Sequence, residues 1–142
     1  MQFLSALIRN KWFWIAVAAL IVVIIIYKWG KSTATGPQPV YPEGGKGIPA
    51  GWSPEPLAAE LYNNMDGLFT LGSTKEASWK KLYDLPTLDM TVAVYSVFGQ
   101  KYFNKGKGTL TDWIRDEVNY VPVWAGGIKE NLLSKLTQNS MP

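Results

Sequence analysis

The chain has 142 residues and contains neither cysteine nor histidine. Those two absences exclude disulfides, Cys/His zinc sites, His- or Cys-ligated haem, and every nucleophile that depends on a His partner. What remains for catalysis is carboxylate, Lys or Tyr chemistry, or a hard metal on oxygen ligands. A broad basic surface is also missing. Lys and Arg number 14 against 11 acids, a formal charge of +3. Residues 1–31 hold Arg9, Lys11, Lys28 and Lys31 and no acid, whereas residues 32–142 hold ten basic and eleven acidic side chains. The excess positive charge therefore belongs to one N-terminal segment, and a nucleic-acid partner is not expected, because such binders spread Lys and Arg over a folded face.

That segment carries the longest apolar run. Trp12 to Tyr27 reads WFWIAVAALIVVIIIY, sixteen residues without a charge. As a helix at ~1.5 Å per residue it is about 24 Å long, and Lys28 and Trp29 extend it toward the ~30 Å hydrocarbon thickness of a bilayer. Trp12, Trp14, Tyr27 and Trp29 stand at its ends, where aromatic belts form, and Lys11 and Lys28 can snorkel outside them. The expectation is a 1–11 tail and a single transmembrane helix over 12–29, in a bacterial cell membrane or a virion's internal membrane. A cleaved signal peptide is the alternative, with Ser32-Thr33-Ala34 as a cleavage context, and a buried core helix is the other. The positive-inside rule leans slightly toward an internal N-terminus.

Residues 30–53 are rich in Pro and Gly, with GPQPVYP followed by GGKG. Alternating proline favours an extended stalk, and glycine loosens it. The same stretch read as a loop docks Tyr41, Ile48 and Trp52 on the following domain.

Residues 54–142 form the expected helical domain, with five short helical patterns over 54–138. Ser53 and Pro54 open the first, whose Leu57, Leu61 and Met65 share one face before Gly67 ends it. Ser73 and Glu76 have capping-box spacing for a second helix burying Trp79 and Leu82, with Ala77 and Tyr83 as further candidates. Met90, Val94, Val97 and Phe98 line a third that Gly99 stops. Thr109 opens a fourth with Asp112 in its first turn, facing Leu110, Trp113, Ile114 and Val118 inward. A fifth begins near Gly127 with Ile128, Leu132, Leu133 and Leu136. Strands at Val92–Val97 or Tyr120–Trp124 fit less well, the second being broken by Pro122. The fold class is all-α: one transmembrane helix and a small five-helix globule serving as an interaction domain.

The order of these elements resembles one annexin-type repeat. Such a repeat runs helix A, a Gly-rich loop, helices B and C with a "Y..FG" ending, an acidic helix D and helix E. Here the segments read AAELYNNMDG, STKEASWKKL, DMTVAVYSVFGQKY, TLTDWIRDEV and IKENLLSKLTQN. The resemblance implies a five-helix fold and a calcium site made of loop carbonyls at Gly67 and Gly72 and the carboxylate of Glu117. The G-x-G-T core is not intact, and one carboxylate makes a poor calcium site. The alternative makes Gly67 and Gly72 positive-φ loop residues and Glu117 a solvated helix-end charge. In architecture the chain is also similar to small membrane proteins of Bacteroidetes bacteria and their phages.

Other constellations have bland readings beside sharp ones. Asp112, Asp116 and Glu117 offer paired carboxylates, but on one short helix they read as a solvated acidic face rather than a glycosidase pair. Lys101, Lys105 and Lys107 with Tyr102 and Phe103 form either a headgroup or nucleic-acid patch or a flexible loop. Gly106-Lys107-Gly108-Thr109 lacks the spacing of a phosphate loop. Lys101, Tyr102, Phe103 and Trp124 are the interaction candidates. The expected function is that of a non-enzymatic, single-pass structural or interaction protein. Its setting is a minor membrane component of a lipid-containing virion, linking bilayer to capsid, with the bilayer and membrane or capsid proteins as partners and no cofactor. The alternative is a bacterial envelope protein whose annexin-like domain binds lipid, with or without calcium, and an enzyme acting on cell-wall or lipid substrates is a third reading.

Overall fold

The computed structural model describes residues 18–23 and 35–142. Residues 18–23 are helical with exposed side chains. Among the described residues no helix is long and apolar enough to cross a membrane. Most of the 12–29 segment, including Trp12, Trp14, Tyr27, Lys28 and Trp29, lies outside them.

The second unit spans Thr35–Pro142. Its helices are α1 (Glu55–Asp66), α2 (Gly72–Tyr83), α3 (Leu88–Tyr102), α4 (Leu110–Asp116) and α5 (Lys129–Gln138), with single 3-10 turns at Phe103–Lys105 and Val123–Ala125. No strand occurs among the described residues. The all-α expectation therefore holds for this unit.

Helix α3 is the spine. From Asp89 to Gly99 every residue except Val97 is buried. A helix apolar on nearly all sides has to be surrounded, and α1, α2 and α4 pack against it. Thr87 caps it, its Oγ1 accepting the Met90 N–H at 3.2 Å. Gly99 does not stop this helix, which continues to Tyr102. The strap crosses here: the Gly36 Cα passes 3.7 Å from where a Gly99 Cβ would stand, an ordinary van der Waals distance. A ring cluster closes this end, with Tyr62 of α1 stacked on Tyr102 at 4.1 Å and the edges of Phe98 and Trp113 against them.

The stretch expected as a stalk joins this unit from Thr35 onward. Tyr41 and Trp52 pack against the core, and Ile48 is half-buried. Asp89, fully buried in the first turn of α3, accepts the Glu43 N–H at 3.0 Å and the Gly47 N–H at 3.1 Å. Thr87 Oγ1 donates to the Gly47 carbonyl at 2.7 Å. A carboxylate at a helix N-terminus, holding two backbone donors of a crossing segment, is a charge-assisted clasp. Proline stiffness favours an extended segment, but successive turns from Tyr41 to Ile48 and the bonds to Asp89 and Thr87 lay it down as a strap.

Local signals differ in how they play out. Thr109 and Asp112 form a reciprocal capping box on α4. Ser53 Oγ accepts the Glu55 N–H at 3.3 Å at the start of α1. The Ser73–Glu76 box does not form: α2 starts one residue earlier, at Gly72, and Glu76 Oε2 accepts the Ile128 N–H at 3.1 Å instead. Ala77 is exposed. Val118 points outward because α4 ends at Asp116 and the helical register expires before it. Past α5, Ser140 takes a left-handed φ of 57° and turns the chain inward. Met141 is then fully buried; its carbonyl accepts the Thr111 hydroxyl at 2.7 Å, and the Pro142 carbonyl accepts the Tyr95 hydroxyl at 2.5 Å.

Candidate functional site

Two loops meet at one end of the helical unit. The first joins α1 to α2 over Gly67–Leu71. It is a tight turn in which the Thr70 N–H donates to the Gly67 carbonyl at 3.3 Å. A Cβ on Gly67 would collide with the Thr70 side chain, so only glycine leaves the turn this close. The turn throws Leu68, Phe69 and Leu71 into solvent at 93%, 95% and 71% exposure.

The second loop joins α4 to α5. Pro122 starts the 3-10 turn, Gly126 follows at a φ of 89°, and the Gly127 N–H returns to the Pro122 carbonyl at 3.0 Å. A Cβ on Gly127 would collide with the Val121 carbonyl. This loop exposes Val118, Val123 and, at 89%, Trp124.

What joins the loops is a buried ionic network. Lys75 of α2 and Glu117 at the end of α4 are each only 7% exposed in their side chains, and Lys75 Nζ lies 2.5 Å from Glu117 Oε2. The Tyr120 hydroxyl donates to the same carboxylate oxygen at 3.2 Å and accepts from Lys75 at 3.3 Å. Burial pushes the Lys75 ammonium down, but its bonds to Glu117 and Tyr120 outweigh that and hold it above its ordinary value. The Tyr120 ring lies against Gly72, where a Cβ would come within 2.7 Å of Tyr120 Cβ. Lys129 Nζ ties down the Arg115 carbonyl at 3.1 Å and also bonds the Glu117 carbonyl.

This network answers the calcium expectation at Glu117. Its carboxylate is neither solvated nor open to a metal: Lys75 occupies Oε2, and Lys107 stands 3.6 Å from Oε1. An ammonium on the carboxylate supplies the positive charge a cation would bring, so the residues do not fit a calcium ion. Gly67 has an ordinary φ of −72° and Gly72 is the first residue of α2, so neither serves as a positive-φ residue. Among the described residues no group of three acidic side chains is placed to hold a metal.

The remaining sequence candidates fall elsewhere. Lys101 pairs with Glu55 at 3.2 Å on the surface. Tyr102 is stacked on Tyr62, and the Phe103 ring lies against Gly36 under the strap, so both are packing residues on their visible faces. Trp124 alone of the four stands almost wholly in solvent. An open cleft of about 530 Å³ is lined by Gly106, Lys107, Asp112, Arg115 and Asp116. Its carboxylates are engaged: Asp112 in the capping box and with Arg115 at 2.8 Å, Asp116 with Lys107 at 2.7 Å. The Lys107 ammonium holds the Asp116 carboxyl below the usual range.

Sequence reasoning missed the Lys75–Glu117 pair and the Leu68-Phe69-Leu71 tip. The tip had a signal, three large apolar residues in a glycine-bounded loop off any helical face. The pair had none, since 42 residues separate its members. Comparison with known protein families, curated proteins and solved structures finds no match to this chain.

Proposed function

We propose that the chain is a non-enzymatic, single-pass membrane protein that presents a small helical interaction domain at a bilayer. Its proposed setting is a minor membrane component of a lipid-containing virion, where it links bilayer to capsid. One observation carries the interaction reading: a rigid two-loop end that exposes Leu68, Phe69, Leu71, Val118, Val123 and Trp124 together. Monomeric globules seldom gather large apolar side chains this way unless the patch meets something. Two further features support it. The Trp12–Tyr27 run has the length, aromatic ends and flanking lysines of an anchor. The acidic side chains of the open cleft are neutralised by Lys and Arg, which suits surface structure better than acid–base work.

The test is fractionation. Membranes bearing the full chain are washed at alkaline pH, and purified virions are probed for it. Retention in the membrane pellet and presence in virions are expected. Release by the wash refutes the anchor, and absence from purified particles refutes the virion setting.

A further inference from the structure

We infer that the two-loop end is a bilayer-seating surface, whose apolar tips enter the interfacial layer of the same membrane that holds the N-terminal segment. The inference rests on the anchor reading and names the occupant of the docking end.

The chemistry of the tips selects lipid. Residues 67–74 and 118–128 contain no charged side chain at all. Of the charges that flank them in sequence, Lys75 and Glu117 neutralise each other and Lys129 caps carbonyls, while Asp66, exposed at the edge of the first loop, accepts the Tyr62 hydroxyl at 3.0 Å. Nothing on the tips therefore has to be dehydrated as an ion when they leave water. Their side chains are the ones that interfaces favour, with Phe69 and Trp124 each bringing a ring and Trp124 keeping a polar N–H for the headgroup level.

Shape points the same way. Phe69 at 95% and Leu68 at 93% exposure project singly, with almost no area packed against neighbours. A fluid acyl boundary closes around such tips, whereas a protein partner needs a matched cavity for each. The loops beneath are stiff, held by the Gly67 and Gly127 turns and by the Lys75–Glu117–Tyr120 network, so little ordering entropy is lost on insertion.

Reach completes the argument. The folded unit begins at Thr35, and the five residues after Trp29 extend at most about 20 Å. A tether that short keeps the bilayer surface at high effective concentration, so modest insertion suffices.

The cysteine-free chain allows a direct test. Single-cysteine variants Phe69→Cys, Val123→Cys, Leu20→Cys and Ser134→Cys of the full chain carry an environment-sensitive nitrobenzoxadiazole label. They are reconstituted in phosphatidylcholine–phosphatidylglycerol vesicles with and without doxyl-labelled lipid. Labels at 69 and 123 are expected to blue-shift and lose most of their emission to the doxyl group, while the label at exposed Ser134 is unaffected. Adding Leu68→Asp and Trp124→Asp is expected to return the label at 123 to its aqueous spectrum. If the label at 20 is quenched while those at 69 and 123 remain aqueous, the seating surface is refuted and the anchor stands. If the label at 20 is not quenched, the anchor reading fails, and quenching at 69 and 123 then supports lipid contact by itself. A blue-shift at 69 and 123 without doxyl quenching reports a protein contact, including a second copy, and overturns the inference.

Discussion

Replacing Lys75 by Met tests whether the buried pair does what its geometry implies. With charge centres roughly 4 Å apart and an effective dielectric near 20, the attraction is about 4 kcal/mol. Losing Lys75 leaves the Glu117 carboxylate buried, which costs ~3–5 kcal/mol in comparable sites. Two partners soften this: the Tyr120 hydroxyl at 3.2 Å and Lys107 at 3.6 Å remain in reach of the carboxylate and together recover about 1 kcal/mol. Lys75→Met is thus expected to cost about 3 kcal/mol. Glu117→Leu strands the ammonium instead and costs a little less, because a lysine stem can swing its head toward water. Both changes together remove both charges and should return stability to within about 1 kcal/mol of the parent. The coupling energy, the two single costs less that of the double, is then about 4–5 kcal/mol. In a unit of this size the single replacements correspond to a fall in Tm of roughly 12–20 °C. Denaturant unfolding of all four proteins in mild detergent, followed by tryptophan fluorescence and far-UV circular dichroism, gives the cycle. A coupling below about 0.5 kcal/mol would refute the reasoning, since it is the value of a solvent-screened pair.

Other outcomes follow from the same contacts. Met141→Ala empties a fully buried site and is expected to cost about 2–5 kcal/mol, read as a lowered Tm. Asp89→Ala orphans the Glu43 and Gly47 N–H groups; it should cost about 2–3 kcal/mol and open residues 35–53 to limited proteolysis while the helices persist. The folded state holds Lys75 above its ordinary 10.5, so its contribution is full below that pH and fades as pH rises through the folded value. The Tm gap between the parent and Lys75→Met should therefore narrow above about pH 10.5, and a gap that widens there would contradict the pairing. Gly72→Val places a side chain against the Tyr120 ring; it should shift the tyrosine near-UV signal and cost about 1–3 kcal/mol.

Much of the helical unit was legible in the sequence because its determinants are local. Leu57, Leu61 and Met65 fall on one helix face, and Thr109 with Asp112 carries its own cap. Failures came where a distant segment competes for a local signal. Glu76 has the spacing to cap its own helix, but the Ile128 N–H, 52 residues away, takes its carboxylate. Gly99 looks like a helix stop, yet it is the place where Gly36 crosses. Val118 continues an inward face on paper, but the helix beneath it ends two residues earlier. The two-loop end was only half visible: Trp124 could be singled out by its size in a charge-free loop, whereas the pairing that sets the two loops side by side depends on tertiary contact between Lys75 and Glu117.

The strap over α3 also governs how the unit would meet a mechanical pull. Force entering the folded unit from its N-terminal side arrives at residue 35. It meets first the seat of Gly36 on the Phe103 ring and then the two bonds that Asp89 accepts. Only beyond Trp52 and Ser53 does the pulled chain itself become helical, at Glu55. The nineteen residues from 35 to 53 can therefore peel away before any helix unwinds, drawing Tyr41 and Trp52 off the core and releasing about 60 Å of extended chain. A domain wired in this way yields in two stages, with a spring-like slack taken up between its tether and its core.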